Sequence, residues 1–187
     1  MKTATIRFLA HGAVSDQGSS SERALTSEGV AQVEAVRTHW VDGEEFIPRI
    51  VFTSIAWCAI QTAQVLLGSQ RTITIASPEL YQGHATAPQT QIQVVLESRA
   101  VPLSEHFRQG RQDALRQYAQ RAVDRIRCET FLRHTPPEQK VLVIGHDGLL
   151  QAIAWGLMGF TDAMSLQPPL SPCDWTEVML RALPRAA

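Results

Sequence analysis

The sequence predicts an α/β fold: a single domain with a mostly parallel sheet flanked by helices on both faces. Short β-branched runs alternate along the chain with helical stretches of ten or more residues, and parallel strands require such crossovers. The apolar content of 44% over 187 residues suits one core of ordinary size. No repeat or linker divides residues 1–187, so we expect one domain.

Five runs have the composition of strands. Each is short, rich in β-branched or aromatic residues, and several are bounded by turn residues such as Pro48 and Pro78. The last run is expected to form an edge strand. The runs are Thr3–Leu9, Ile50–Thr53, Thr72–Ile75, Lys140–Ile144 and Thr176–Leu180.

Apolar residues at helical spacing predict the helices between these strands. Thr26 and Ser54 are good N-caps for the first two helices, and Gly68 closes the second. We expect 81–109 to cross the sheet edge and shape the pocket, with only 91–97 helical. The main helices are predicted over about 27–40, 55–67, 111–133 and 148–158.

Charge and cysteine content exclude several classes of protein. The 17 basic and 18 acidic residues are well mixed, which argues against a nucleic-acid or membrane-surface partner. Cys58, Cys128 and Cys173 are odd in number and far apart, as in proteins that keep reduced thiols. No stretch is long and apolar enough to span a bilayer. We therefore expect a cytoplasmic protein, and the sequence does not fix its oligomeric state.

Two of the predicted strands end in the same pattern. Leu9 and Ala10 lead into His11 and Gly12, and Ile144–Gly145 leads into His146. Ligands of open α/β sheets bind at the carboxyl ends of the strands. We therefore expect the two imidazoles to face each other across one cleft.

Four segments together resemble the histidine phosphatase superfamily, which has the phosphoglycerate mutase-like fold. Residues 9–12 match its L-x-R-H-G motif, and 25–32 match L-T-x-x-G-x-x-Q. Residues 54–63 are similar to S-x-x-x-R-A-x-Q-T-A, and 144–148 to the second histidine motif. Each match is short, but the four occur in the family's order.

The resemblance implies a mechanism. His11 would attack a phosphoryl group, His146 and two arginines would hold its oxygens, and a carboxylic acid would protonate the leaving oxygen. Water would then release phosphate from the phosphohistidine. The implied substrate is a small phosphorylated molecule or a phosphohistidine protein, and no cofactor is expected. The implied pocket also includes Gly12, Ser54 and Asp147.

Three departures from the family pattern weaken this site. Ala10 and Cys58 stand where the family has its two arginines, and Gln82 stands where it has the acid. Losing one preorganised donor typically costs about 2.7–4 kcal/mol of barrier, so losing two costs roughly 5–8 kcal/mol if the effects add. We expect a weak phosphatase or a catalytically degenerate binding module.

Other residues are candidates to replace the missing groups. For the acid these are Glu79, Asp147 and Glu97, although Asp147 equally suits the start of the helix that follows it. His84 could join the histidine pair. Two or three histidines with Cys58 could form a zinc site, but their spacing matches no local zinc motif, so no metal is expected. The candidate replacements for the arginines are Arg7, Arg23, Arg99, Arg108 and Arg111.

Overall fold

The computed structural model describes residues 2–16, 21–81, 103–132, 138–160 and 170–182. Its strands form one sheet in the order β3-β2-β4-β1-β5. The first four of these strands are parallel, and β5 pairs antiparallel with β1 at the edge. The strands are β1 (Thr3–Ala10), β2 (Ile50–Ser54), β3 (Ile73–Ser77), β4 (Glu138–Gly145) and β5 (Trp175–Arg181).

Five helices accompany the sheet in the described part of the chain. The first continues into a π-helical turn over Thr38–Asp42, and a short 3-10 turn, Pro78–Leu80, follows β3. The helices are α1 (Ser27–Arg37), α2 (Trp57–Leu67), α3 (Leu103–Arg108), α4 (Gln112–Leu132) and α5 (Asp147–Leu157).

The core has two layers, one on each face of the sheet. Side chains alternate along a strand, so Phe8 and Leu9 of β1 point to opposite faces. Phe8 packs in a cluster with residues of α4 and α5, including Leu150. Leu9 packs in the other cluster with residues of α1 and α2, including Val33. The predicted mostly parallel sheet with helices on both faces is confirmed.

Two local predictions were wrong. Ser54 is the last residue of β2 rather than an N-cap, and the second helix begins at Trp57 after the N-cap Ala56. The hydroxyl of Ser54 instead accepts from Ala56 N at 3.2 Å, within the turn between strand and helix. The second miss is α3, which the irregular pattern of 81–109 did not predict. The helix predicted over 91–97 lies outside the described residues.

Among the described residues, no helix is both long and apolar enough to cross a bilayer.

Candidate active site

The sheet register brings His11 and His146 together. Ala10 of β1 pairs with Gly145 of β4, so each histidine is the first residue past a paired position. His11 N donates a hydrogen bond to Gly145 O at 3.1 Å. The rings meet edge to face, with centroids 4.8 Å apart, and His11 Nε2 lies 3.0 Å from His146 Nδ1. The two imidazoles share one cleft, as the strand ends predict.

The hydrogen bonds of His11 fix which of its nitrogens carries the proton. Nδ1 lies 2.8 Å from Gly12 O, and a carbonyl oxygen can only accept, so Nδ1 is protonated. In a neutral imidazole Nε2 then carries the lone pair. The neighbouring Nδ1 of His146 is consequently the donor of the bond between the rings.

The loop after His11 is held by side chains from two helices. Gly12 N donates to Thr62 Oγ1 at 3.3 Å, and Ala13 N donates to Gln32 Oε1 at 3.0 Å. Gln61 Oε1 similarly accepts from Leu25 N at 2.8 Å. These three side chains belong to the quoted motifs, but no pattern in the sequence indicates this positioning role. Their partners are distant in sequence.

The residues at the two arginine positions singled out above are both buried. Ala10 is 4% exposed and Cys58, in the first turn of α2, is 1% exposed. One ligand atom from each of His11, Cys58 and His146 lies within 4.8 Å of the others. Ser54 is fully buried and its hydroxyl serves the turn before α2.

Asp147 lies beside the pair as the first residue of α5. Its Oδ1 accepts from Leu170 N at 2.7 Å and from Gln151 Nε2 at 3.3 Å. Burial raises its pKa to about 6, the Leu170 bond opposes this rise, and the charge of Asp174 adds to it. The N-cap of α5 is His146, without a side-chain capping bond. The carboxyl of Asp147 therefore has a role other than capping its own helix.

Glu79 is occupied by other partners. Ser77 Oγ donates to its carboxylate, and Arg125 Nη1 lies 3.3 Å from Oε2. Burial raises its pKa, but these hydrogen bonds, its own backbone amide and the Arg125 charge outweigh that effect and leave the pKa lowered. A carboxylate stabilised in its charged form is a poor proton donor, so the surroundings of Glu79 do not suit the role of acid.

Four of the five candidate arginines lie among the described residues, and Arg111 is one of them, half-buried just before the first residue of α4. The surroundings of the other three can be compared. Arg7 is paired with Glu45 and Glu177, and Arg108 is paired with Glu105. Arg23 lies between two residues whose backbones bond to α2: Ser21 O accepts from Trp57 N, and Leu25 N donates to Gln61. Its Nε is buried without a hydrogen-bond partner among the described residues.

Several candidates fall where the structure gives no description. Gln82, His84, Glu97 and Arg99 lie outside the described residues. Their sequence-based roles therefore stay predictions.

Comparison with known proteins agrees with this architecture. No curated protein sequence matches the chain. A mycobacterial glucosyl-3-phosphoglycerate phosphatase is 17% identical, with a TM-score of 0.62 over 95% of this chain and 91% of its own. Two further structures, mycobacterial hydrolases 1 and 2, are 16% and 19% identical, both with a TM-score of 0.63. They cover 95% and 96% of this chain, and 92% and 83% of their own lengths.

Identities this low establish the fold only. The family assignment comes from the sequence, which matches a family pattern from residue 8 to residue 182 and so includes both histidine segments. The chain belongs to the histidine phosphatase superfamily (branch 1).

Proposed function

We propose that this protein is a phosphomonoester hydrolase of reduced activity that works through a phosphohistidine at His11. The observation that carries the proposal is the bond from His11 Nδ1 to Gly12 O, 2.8 Å long, which leaves the Nε2 lone pair facing the cleft. An imidazole oriented in this way can act as a nucleophile.

The reaction needs two displacements at phosphorus. Nε2 of His11 attacks the phosphoryl group, the phosphorus–oxygen ester bond breaks, and the leaving oxygen takes a proton from Asp147. Water then gives a proton back to the Asp147 carboxylate and attacks the phosphohistidine, so that the nitrogen–phosphorus bond breaks and phosphate leaves. His146 Nδ1 donates a hydrogen bond to the lone pair of His11 Nε2, and the two atoms are 3.0 Å apart. The phosphoryl group must therefore enter between the rings and break this bond. His146 can then donate to a phosphoryl oxygen instead.

With Ala10 and Cys58 at the positions of the family's two arginines, this reaction lacks two of its usual cations. Charge on the transferring phosphoryl oxygens must be met by fixed donors. We assign that role to Arg23, because its chain segment is bonded to the first turns of α2, near Cys58. One cation then stands where the family has two arginines, so we expect slow turnover.

The proposed substrate is a small phosphomonoester or a phosphohistidine side chain of another protein. The similar mycobacterial enzyme is named for a small phosphorylated sugar compound, and one of its structures is a complex with VO3. We place the protein in the cytoplasm, since none of Cys58, Cys128 and Cys173 forms a disulfide.

Hydrolysis of p-nitrophenyl phosphate tests the proposal. His11→Ala should abolish turnover and Arg23→Ala should reduce it at least about tenfold. His39→Ala is the matched control, because His39 is 76% exposed and bonded to Glu45. Turnover that survives His11→Ala at the wild-type rate would overturn the proposal.

A binding module without turnover is the second candidate. The observation that favours it is the burial of Ala10 and Cys58 at the positions of the family's arginines. It predicts no hydrolysis and no effect of millimolar vanadate on the melting temperature. A vanadate-induced rise in that temperature would contradict this candidate, since a ligand stabilises the state that binds it.

A further inference from the structure

The cleft holds a thiol group that the proposed hydrolytic reaction does not use, next to the two imidazoles that it does use. Two imidazoles and one thiol converge there from three separate elements, the ends of β1 and β4 and the first turn of α2. The reaction above needs both histidines but assigns nothing to the thiol of Cys58. We propose that His11, Cys58 and His146 form a binding site for a borderline-soft divalent cation of the zinc type.

The separations suit a single ion after a small adjustment. Zinc binds nitrogen at about 2.0–2.1 Å and sulfur at about 2.3 Å in tetrahedral geometry, so its ligand atoms lie roughly 3.3–3.6 Å apart. His11 Nε2 and His146 Nδ1 are 3.0 Å apart, and all three ligand atoms lie within 4.8 Å of one another. The largest separation must contract by about 1 Å, which side-chain rotation can supply.

Hydrogen bonds around the cluster already orient its members. Histidine ligands commonly donate their second ring N–H to a carbonyl, as His11 does to Gly12 O. The backbone at Cys58 is fixed as well, since its carbonyl accepts from Thr62 Oγ1 at 2.8 Å. The same Thr62 oxygen accepts from Gly12 N, so one hydroxyl ties the cysteine turn to the histidine loop.

The absence of guanidinium groups at positions 10 and 58 makes the site compatible with a cation. When the ion is bound, the Arg23 guanidinium that we assign to phosphoryl oxygens must lie away from it. A guanidinium at position 10 or 58 would repel a divalent ion, whereas Ala10 is neutral and Cys58 can supply a thiolate. Cys58 is also 1% exposed, and a buried thiolate requires a compensating charge. With two neutral imidazoles and one thiolate, a divalent ion would leave one net positive charge and one open coordination position.

Binding must rearrange two protons. The thiol proton of Cys58 leaves to solvent, because thiolate is the ligand form. The His146 proton moves from Nδ1 to Nε2, so that Nδ1 can donate its lone pair to the ion. One proton is released per ion bound, and nothing is oxidised or reduced.

The ion and the phosphoryl group use the same lone pair of His11. Occupancy by the metal should therefore inhibit phosphomonoester hydrolysis, and the metal site stands whether or not the protein hydrolyses anything. The two proposals are separable because the metal can be titrated without substrate.

Titration of the full chain with Co2+ tests the site. Cobalt in a tetrahedral thiolate site gives intense visible ligand-field bands and a sulfur-to-cobalt charge-transfer band, and added Zn2+ should bleach both. Cys58→Ser should remove the charge-transfer band and raise the Zn2+ Kd at least about 100-fold. Cys128→Ser is the matched control, because the exposed Cys128 is a free thiol away from the cluster and should leave both readouts unchanged.

His146→Gln is the second variant, and far-ultraviolet circular dichroism checks the fold of each. The His146→Gln variant should absorb less visible light in the presence of Co2+ but should keep the charge-transfer band from Cys58. A wild-type spectrum without that band overturns the site, as does a band that persists in folded Cys58→Ser or vanishes in Cys128→Ser. Loss of p-nitrophenyl phosphate turnover alone overturns only the hydrolase proposal.

Discussion

Gly12 and Gly29 pack backbone against backbone where the His11 loop meets the first turn of α1. A Cβ on Gly12 would lie 2.6 Å from Gly29 O, and a Cβ on Gly29 would lie 2.1 Å from Ala13 O. Thr26 N also donates to Ala13 O at 2.9 Å, and Thr26 Oγ1 accepts from Gly29 N at 3.0 Å. The first turn of α1 thus packs directly against the loop that follows His11 and fixes its position.

Gly29→Ala should destabilise the protein by about 1–3 kcal/mol, because a methyl group there forces the backbone of Ala13 to move. Urea unfolding, with the midpoint falling at constant slope, measures the change. Gly148→Ala is the control, since a Cβ on Gly148 meets nothing within 4 Å. In the first turn of α5 the alanine should be neutral or stabilising by up to about 1 kcal/mol. Equal effects of the two substitutions would contradict the close packing at Gly29.

Two buried threonines offer a second matched pair. Thr62 Oγ1 accepts from the buried Gly12 N, whereas Thr130 Oγ1 is buried without a hydrogen-bond partner in the described part of the chain. Thr62→Val should cost about 1–3 kcal/mol, because it leaves a buried amide unpaired, and Thr130→Val should be neutral or stabilising.

Thermal unfolding resolves that difference, since 1 kcal/mol moves the midpoint of a protein of this size by about 2–4 °C. If Thr62→Val melted at the wild-type temperature, the bond to Gly12 would contribute nothing measurable. Lower Co2+ affinity in the same variant would link this hydroxyl to the geometry of the cleft.

The strands and the meeting of the two histidines could be predicted from the sequence because both follow from local patterns. Periodicity locates β1 and β4, and parallel strands bring His11 and His146 to the same sheet edge. The positioning roles of Gln32 and Thr62 could not be predicted in this way. They depend on contacts across 19 and 50 residues, which no local period encodes.

Contacts between residues distant in sequence also explain why two further features of the site could not be predicted from local patterns. Serine is a common N-cap residue, but the hydroxyl of Ser54 accepts a hydrogen bond from Ala56 N, so Ser54 belongs to the turn before the helix. The spacing of His11, Cys58 and His146 matches no local zinc motif, so the sequence predicts no metal there. These three residues come together only through the sheet register and the packing of α2, and neither can be read from spacing.

Glu79 should make stability depend on acid pH. Its folded-state pKa is lowered, so the charged form is favoured in the folded protein. The stabilisation is complete above the unfolded pKa of about 4.3 and is lost as the pH falls through the lower folded value. Urea midpoints should therefore fall more steeply below about pH 4.3 in wild type than in Glu79→Gln. Parallel pH curves would show that the contacts with Ser77 and Arg125 contribute nothing.

Arg7 is held by its surroundings in a structural role. Its guanidinium carbon lies 4.7, 4.4 and 4.3 Å from the ring centroids of Trp40, Phe46 and Trp175. Two of its nitrogens reach Glu45 at 2.8 Å and Glu177 at 2.9 Å. It is also four residues before His11, about 13 Å along a strand. These contacts oppose the interpretation of Arg7 as a replacement phosphate clamp.

Arg7→Met should therefore cost about 1–3 kcal/mol, because the ring stacking and both ion pairs are lost together. Both carboxylates stay about 40% exposed, so water can solvate them and limit the loss. Arg71→Met, at an exposed position, should change stability by less than about 0.5 kcal/mol. Co2+ binding should match wild type in both variants. If Arg7→Met were more stable than wild type, the desolvation penalty of the buried guanidinium would exceed the free energy of its interactions with its partners, as happens for some buried ion pairs.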